Sequence, residues 1–257
     1  MTPALPLAKI RIATQGDDLG ANHSANMAFV EAFTKGTLRN AAVIACCPAI
    51  EEAARLLAGE KGLCFVLHTC MNAEWDSERW GPVAGADRVP SLVDARGHFF
   101  QTGSALWENK PDIDHVFIEL QAQLDRALGL GFDIRFADAH MGWNWILKEQ
   151  APRFEEWKRA NGIRNHQAYD RLPKVDCMAD PVERLIMQLR RAEPGQYRMG
   201  GHPSYDNAEM RALGHPGYEG DMVAISREWE RKIFTDPRIV DYCREAGVQP
   251  IRHDEAL

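Results

Sequence analysis

Along most of the chain, short apolar runs alternate with stretches in which apolar residues recur every three or four positions. That rhythm is the signature of strands alternating with helices. Ile10 to Thr14 is the first strand-like run. A helical pattern follows that Ser24 is placed to cap, with Met27, Val30 and Phe33 at helical spacing and Gly36 as its stop. Ala41 to Ala45 reads as the next strand, Ile50 to Leu57 as a helix, and Leu63 to Leu67 as the third strand. Asp112 or Asp114 can cap a helix carrying Phe117, Leu120, Leu124 and Leu128 on one face, ahead of a strand at Phe132 to Ala137. Asp180-Pro181 and Asp236-Pro237 are strong helix starts, the first leading to Leu185, Ile186 and Leu189 on an inward face. Val248 to Ile251 reads as the last short strand.

Strands alternating with helices build parallel β/α units. The chain has 257 residues and shows no internal repeat, low-complexity tract or linker, so a single domain is expected. The predicted fold class is α/β. A distorted or incomplete (β/α) barrel of TIM type is the first choice and a doubly wound open sheet the second, and periodicity does not separate them. One segment departs from the rhythm. Met71 to Pro111 is some 40 residues long and holds Trp75, Trp80, Phe99, Phe100 and Trp107. It is too long for an ordinary connector and too aromatic for a disordered one. It reads as an insertion that folds over a site.

In parallel α/β folds, ligands bind at the carboxyl ends of the strands. Here the chemistry-bearing residues fall at those ends. Ile10 to Thr14 runs into Asp17-Asp18, Phe65 to Leu67 into His68, Ile134 to Phe136 into Asp138-Ala139-His140, and Tyr197 to Gly201 into His202. Taken singly, an Asp-Asp pair is a turn or cap and a strand-end histidine a structural residue. Taken jointly, an aspartate and two histidines make a set that holds a divalent cation and leaves positions for water. His215 also precedes a proline, but inside a Gly- and Pro-rich stretch that reads as surface loop. Histidines 23, 98, 115, 166 and 253 lack the strand-end arrangement and are read as surface or capping residues.

Composition narrows the function. The net charge is −7 with no basic stripe, which argues against nucleic acid as a partner. No run approaches the ~20 apolar residues of a membrane span. Met1 to Leu7 lacks the pattern of a signal peptide. The six cysteines include no C-x-x-C pair, so most of them read as buried apolar side chains in a reducing, cytoplasmic protein. The oligomeric state stays open, a homodimer included.

At these residues the sequence resembles the YdjC-like carbohydrate deacetylases, the ChbG/HpnK group. Asp17-Asp18-Leu19-Gly20 with Asn26 resembles the family's opening D-D-x-G…N, and Gly36-Thr37-Leu38 with the strand to Pro48 its second segment. Leu67-His68 resembles its G-L-H-L. Val89-Pro90-Ser91-Leu92-Val93-Asp94 with Gly97 and Phe99 resembles its P-S-L-x-D-x-x-G-x-F insertion. Asp138-x-His140 resembles its D-S-H and His202-Pro203 its late H-P-G. Arg227-Glu228-x-Glu230, with Pro237 and Ala246-Gly247-Val248, resembles its C-terminal R-x-x-E-L…P…G-I. The resemblance covers nearly the whole chain.

It implies a distorted β/α barrel related to polysaccharide deacetylases, with Asp18, His68 and His140 as metal ligands, Asp17 as general base and His202 as general acid. His215-Pro216-Gly217 is a second match to H-P-G, so His215 competes for the acid's role. The family's two later histidines in D-S-H-x-H-x-H are replaced here by Gly142 and Asn144, a change that points to a different substrate. The implied reaction is metal-dependent hydrolysis of an N-acetyl group on an amino sugar, releasing acetate. Other metal-dependent barrel hydrolases, or a sugar-binding relative without catalysis, are the alternatives. Two nitrogens and a carboxylate suit zinc; magnesium is the other leading candidate, and manganese, cobalt or nickel fit the same set. Trp75, Trp80, Trp143 and Trp145, with Asp138, are the expected substrate contacts, although each tryptophan could equally be core packing.

Overall fold

In chain order the strands are β1 (Ile10–Leu19), β2 (Asn40–Val43), β3 (Cys64–Thr69), β4 (Ile134–Ala139), β5 (Gly195–Gly201) and β6 (Val248–Ile251). The computed structural model describes residues 9–176 and 179–257. Met1 to Leu7 and Cys177 lie outside the described residues. The strands form one sheet in the order β4-β3-β2-β1-β5, and every pairing is parallel. β1 is the longest strand because it serves three neighbours. One edge follows β5 from Ile10 to Gly16; the other pairs first with β6 along Ile10–Ala13 and then with β2 from Gln15 onward. Beyond the outer strands, Arg164 bridges Phe136 of β4 and Asp170 bridges Tyr197 of β5, so residues 164–170 span from one edge of the sheet to the other.

The helices are α1 (His23–Thr34), α2 (Ile50–Leu57), α3 (Gly103–Glu108), α4 (Ile113–Gly129), α5 (Trp143–Ile146), α6 (Ala151–Ala160), α7 (Pro181–Arg191), α8 (Ala208–Arg211), α9 (Gly220–Thr235) and α10 (Pro237–Ala246). Three of their starts follow from local chemistry. Asp112, Asp180 and Asp236 each accept a backbone N–H of the first turn, as expected for an N-cap. Among the described residues no helix is long and apolar enough to cross a membrane.

The sheet's two faces differ. Ala41, Val43, Phe65 and Leu67 belong to the large core under the helices, while Ala42, Cys64, Val66 and Phe136 form a small cluster on the opposite face. Gln15, Asn40 and His253 are also buried. The five described cysteines are all buried, as predicted.

Several elements differ from expectation. β1 does not stop at Thr14 but runs through both aspartates, β3 and β4 likewise extend to Thr69 and Ala139, and β5 begins at Gly195. α1 is capped by Asn22, not Ser24, although it ends as expected, with Lys35 as its C-cap and Gly36 just beyond; the Ser24 hydroxyl donates instead to the Tyr205 carbonyl. The buried face of α1 is Ala25, Ala28, Phe29 and Ala32 rather than Met27, Val30 and Phe33. On α4 the inward face includes Val116 and Ala127 in place of Phe117 and Leu128.

The 71–111 segment is packed structure. Val89, Leu92, Phe99 and Leu106 have no solvent exposure. The buried Glu119 carboxylate on α4 ties the segment down by accepting the backbone N–H groups of Val83 and Ala84, each at 2.9 Å. Gln123, one turn on, donates to Glu119 and also pairs with both backbone groups of Cys70. Burial pushes the Glu119 carboxyl up to about 7, against the pull of its N–H donors.

A folded-state pKa above the unfolded value means the folded state holds its proton more tightly. Glu119's contribution is therefore full below about pH 4.5 and is lost as pH rises to about 7. The stability gap between Glu119→Gln and wild type should accordingly shift in the variant's favour by on the order of 3 kcal/mol across that window. Urea melts at pH 4.5 and 7.5 measure it, and a gap that stays constant with pH would exclude Glu119 as the titrating group.

Candidate active site and metal centre

Side chains alternate along a strand, so Asp17 and Asp18 would point to opposite faces of a regular one. β1 avoids this with a bulge: Gly16 pairs with Ala41 but Leu19 with Val43, so β1 carries one residue more than β2 in between. Asp18 there takes a left-handed φ of 73°, a conformation that aspartate enters more readily than most residues. Gly20 follows at φ 102°, where an added side chain would also run into Ile50. Asp17 and Asp18 consequently line one small crevice together with His202.

Asp18 Oδ1 lies 3.4 Å from His68 Nε2 and 3.2 Å from His140 Nδ1. The ligand-type atoms of these three residues all fall within 4.8 Å of one another. The far nitrogen of each ring is held by a carboxylate: His68 Nδ1–H donates to Asp138 Oδ1 at 2.6 Å, and His140 Nε2–H donates to Glu74 Oε2 at 3.0 Å. This fixes both rings with their other nitrogens facing Asp18, the outer-shell arrangement that orients histidine ligands to a metal. Asp18 Oδ1 is itself buried without a hydrogen-bond partner. A buried carboxylate oxygen between two imidazole nitrogens, with no donor of its own, is what a divalent cation would complete.

His202 follows β5 and lines the crevice beside Asp17 and Asp18. Its Nδ1 lies 2.8 Å from Glu230 Oε2 on α9, and Arg227 backs that carboxylate at 3.3 Å. Nε2 is the nitrogen left for chemistry. His215 lies in an exposed turn, contacts the Pro216 carbonyl and stacks against Trp75 at 6.0 Å. The geometry thus brings His202, and not His215, to Asp17 and Asp18.

Asp17 also borders a much larger cavity of about 440 Å³, where it meets His68, Asp138, Phe117, Trp143, Trp145 and Phe154. The four tryptophans singled out in the sequence divide. Trp145 is 79% exposed at this cavity. Trp143 lines the cavity but is otherwise buried, its indole N–H donating to the Thr69 carbonyl. Trp75 is buried at the crevice, and Trp80 is a core residue, donating to Cys70 Sγ and packing beside His140. Trp80 borders neither cavity, so its place is support for the His140 ring, not a sugar platform. Asp138 borders the large cavity, but its oxygens are already engaged by His68, Gln15 and Arg198.

The electrostatics are those of a mutually neutralising cluster. Burial and the nearby Asp138 charge raise the Asp17 carboxyl above the usual carboxylate range, with His68 and His202 pulling the other way. Burial would raise Asp18 too, but His140, His202 and His68 together hold it well below that range. Burial would lower His68 and His140, yet Asp138 on the first and Glu74 and Asp18 on the second raise both imidazoles. Burial would lower His202 too, but the Glu230 hydrogen bond and the Asp18 and Glu230 charges together raise it.

Several residues of this site escaped the sequence reading. Glu74 had no signal beyond its place in the insertion. Gln15 lies two residues before Asp17, outside the Asp17-Asp18 pair. Glu230 is visible only as part of the R-x-x-E resemblance. His253, read as surface or capping, is 1% exposed and bonded to Gln15, a correction that no local pattern could supply.

Similarities to known proteins bear on this arrangement. A carbohydrate deacetylase of Geobacillus stearothermophilus is 30% identical over 258 residues, covering 93% of this chain and 95% of that protein. A carbohydrate deacetylase of Thermoanaerobacter pseudethanolicus is 26% identical over 251 residues, covering 92% and 95%. A crystal structure from Enterococcus faecalis, of a protein provisionally named for cellobiose-phosphate cleavage, superposes with a TM-score of 0.72 over 96% of this chain and 99% of that one. At 16% identity that likeness speaks to the fold. The family model described as YdjC-like protein matches residues 11–245, and the chain belongs to that family.

Proposed function

We propose that the protein hydrolyses the N-acetyl group of an amino sugar or N-acetylated oligosaccharide, with Asp18, His68 and His140 holding one divalent cation. The supporting observation is the pairing of that three-residue set with a second carboxylate, Asp17, which lies outside the set and faces the large cavity. Two family relatives named carbohydrate deacetylase point to the same substrate class. Residues 164–170, spanning the two edge strands, support reading the sheet as a distorted β/α barrel whose mouth carries the site.

An amide resists hydrolysis because water is a weak nucleophile and an amine a poor leaving group. When bound, the cation supplies Lewis acidity, acidifying water and polarising a carbonyl; zinc suits the two-nitrogen, one-carboxylate set best. Asp17 takes the proton as water oxygen adds to the acetyl carbon. His202, protonated and oriented by Glu230, gives its Nε2 proton to the nitrogen as the C–N bond breaks, so the amine departs neutral. Acetate and a free amino sugar result. Trp145, exposed at the cavity, offers a face on which a sugar ring can stack.

The test is acetate release from a panel of N-acetylated mono- and oligosaccharides. Release that stops with a chelator and returns with zinc is expected. Release that persists after complete metal removal would exclude the metal-dependent route, and no release from any member would exclude the reaction class.

A further inference from the structure

A chain of hydrogen bonds runs through the inner face of the sheet and ends on two of the site's carboxylates. Tyr169 OH lies 2.8 Å from His253 Nδ1, and His253 Nε2 lies 2.7 Å from Gln15 Oε1. Gln15 Nε2 lies 2.6 Å from Asp17 Oδ1 and 2.8 Å from Asp138 Oδ2. Its members come from residues 164–170, the turn after β6, β1 and β4, so the chain joins segments far apart in sequence.

The direction of each bond follows from what the atoms can do. A carboxylate oxygen only accepts, so the Gln15 amide must turn its NH₂ toward Asp17 and Asp138, one N–H to each. Its Oε1 then only accepts, so His253 must carry its proton on Nε2. Nδ1 of the neutral ring is left as the acceptor for the Tyr169 hydroxyl. Burial, with His166 and Arg198 nearby, pushes His253 down to about 2 and keeps it neutral. The main chain that carries the ring is anchored as well: the His253 backbone N–H donates to Asn40 Oδ1, and Asn40 in turn donates to the carbonyls of Thr14 and Ile251. Every donor in the series points toward the same two carboxylates.

We propose that His253 and Gln15 are positioning residues that aim Asp17 at the reacting centre and keep it apart from Asp138. This rests on Asp17 being the base, as proposed above. Two carboxylates brought together inside the sheet repel each other and would turn away from a shared position. The Gln15 NH₂ lies between them and gives each a fixed partner. Asp138 must be held because it orients His68, and Asp17 because a base displaced by about 1 Å can lose on the order of 10²-fold in rate.

Two near-isosteric variants remove the donors while keeping volume: Gln15→Met and His253→Met. Each should lower kcat on the order of 10²-fold with KM within about threefold, and with metal content and Tm close to wild type. His253→Gln, which can return an N–H toward Gln15 Oε1, should recover most of the loss. Tyr169→Phe, removing only the far end, should cost less than either Met variant. Near wild-type kcat in folded, metal-loaded Gln15→Met and His253→Met would overturn the proposal, as would His253→Gln impaired as badly as His253→Met. A second readout is independent of the reaction. Long-range ¹H–¹⁵N spectra should show His253 as the neutral Nε2–H tautomer from pH 5 to 9, and Gln15→Met should move that signal. A His253 that titrates in this range, or carries its proton on Nδ1, would overturn the network even if the enzyme released no acetate. Absence of acetate release from the wild type, with the tautomer as expected, would instead remove the base assignment while the hydrogen-bond chain stands.

Discussion

Asp17→Asn should lower turnover by about 10² to 10⁴-fold, the range that general-base catalysis supplies, while the protein stays folded and metal-loaded. Asparagine has the shape of aspartate, and its Oδ1 can still accept from Gln15, which bonds the native side chain at 2.6 Å. Asp17 is outside the proposed Asp18, His68, His140 set; the other grouping it could join, with His68 and Asp138, is already closed by hydrogen bonds from His68 and Gln15, so metal occupancy should barely change. What the variant loses is the ability to take a proton. The drop should lie in kcat, with KM little altered, because the interaction belongs to the transition state and not to substrate binding. A metallated Asp17→Asn protein with near-normal kcat would show that another group accepts the proton.

The second large effect belongs to His68→Ala. The substitution deletes one of the three proposed ligands and also strips Asp138 of its 2.6 Å partner. Bound metal, measured by elemental analysis after dialysis, should fall sharply and activity with it. Asp138→Asn and Glu74→Gln leave the ligands but loosen their rings, and each should weaken metal affinity by about 10 to 100-fold. The order His68→Ala worst, then the two carboxylate variants, then wild type follows from the geometry. Protons compete for the same ring nitrogens, since both imidazoles are raised by their carboxylate neighbours, so occupancy should fall as pH is lowered. Stoichiometric metal in His68→Ala would displace His68 from the ligand set.

What could be seen in the sequence was what local chemistry decides. Asp112, Asp180 and Asp236 announce helix starts because a cap acts on its own first turn. Asp17, Asp18, His68, His140 and His202 were visible because strand ends in parallel sheets converge. The inward face of α1 was misplaced by one to two positions, because small residues there let the helix approach closely and tertiary packing overrode the larger apolar side chains. α9 was not recognised as a helix: its charged residues blur the apolar spacing, though it supplies Glu230 to His202. Buried polar residues such as Gln15, Glu119 and His253 carry no periodic signal at all. Their partners lie on other elements, and only the folded chain brings them together.

The left-handed backbone at Asp18 has an evolutionary reading. Folding favours a residue that accepts positive φ, which selects glycine, asparagine and aspartate. The proposed cation site asks for an anionic oxygen, which selects aspartate and glutamate. Aspartate alone satisfies both, so the apparently mild exchange to glutamate meets the chemical demand but strains the bulge. A lineage released from the chemistry could therefore drift at this position mainly toward asparagine or glycine. Either replacement at the second acidic position is expected to spare the fold while weakening the proposed cation site, a loss legible from a single codon.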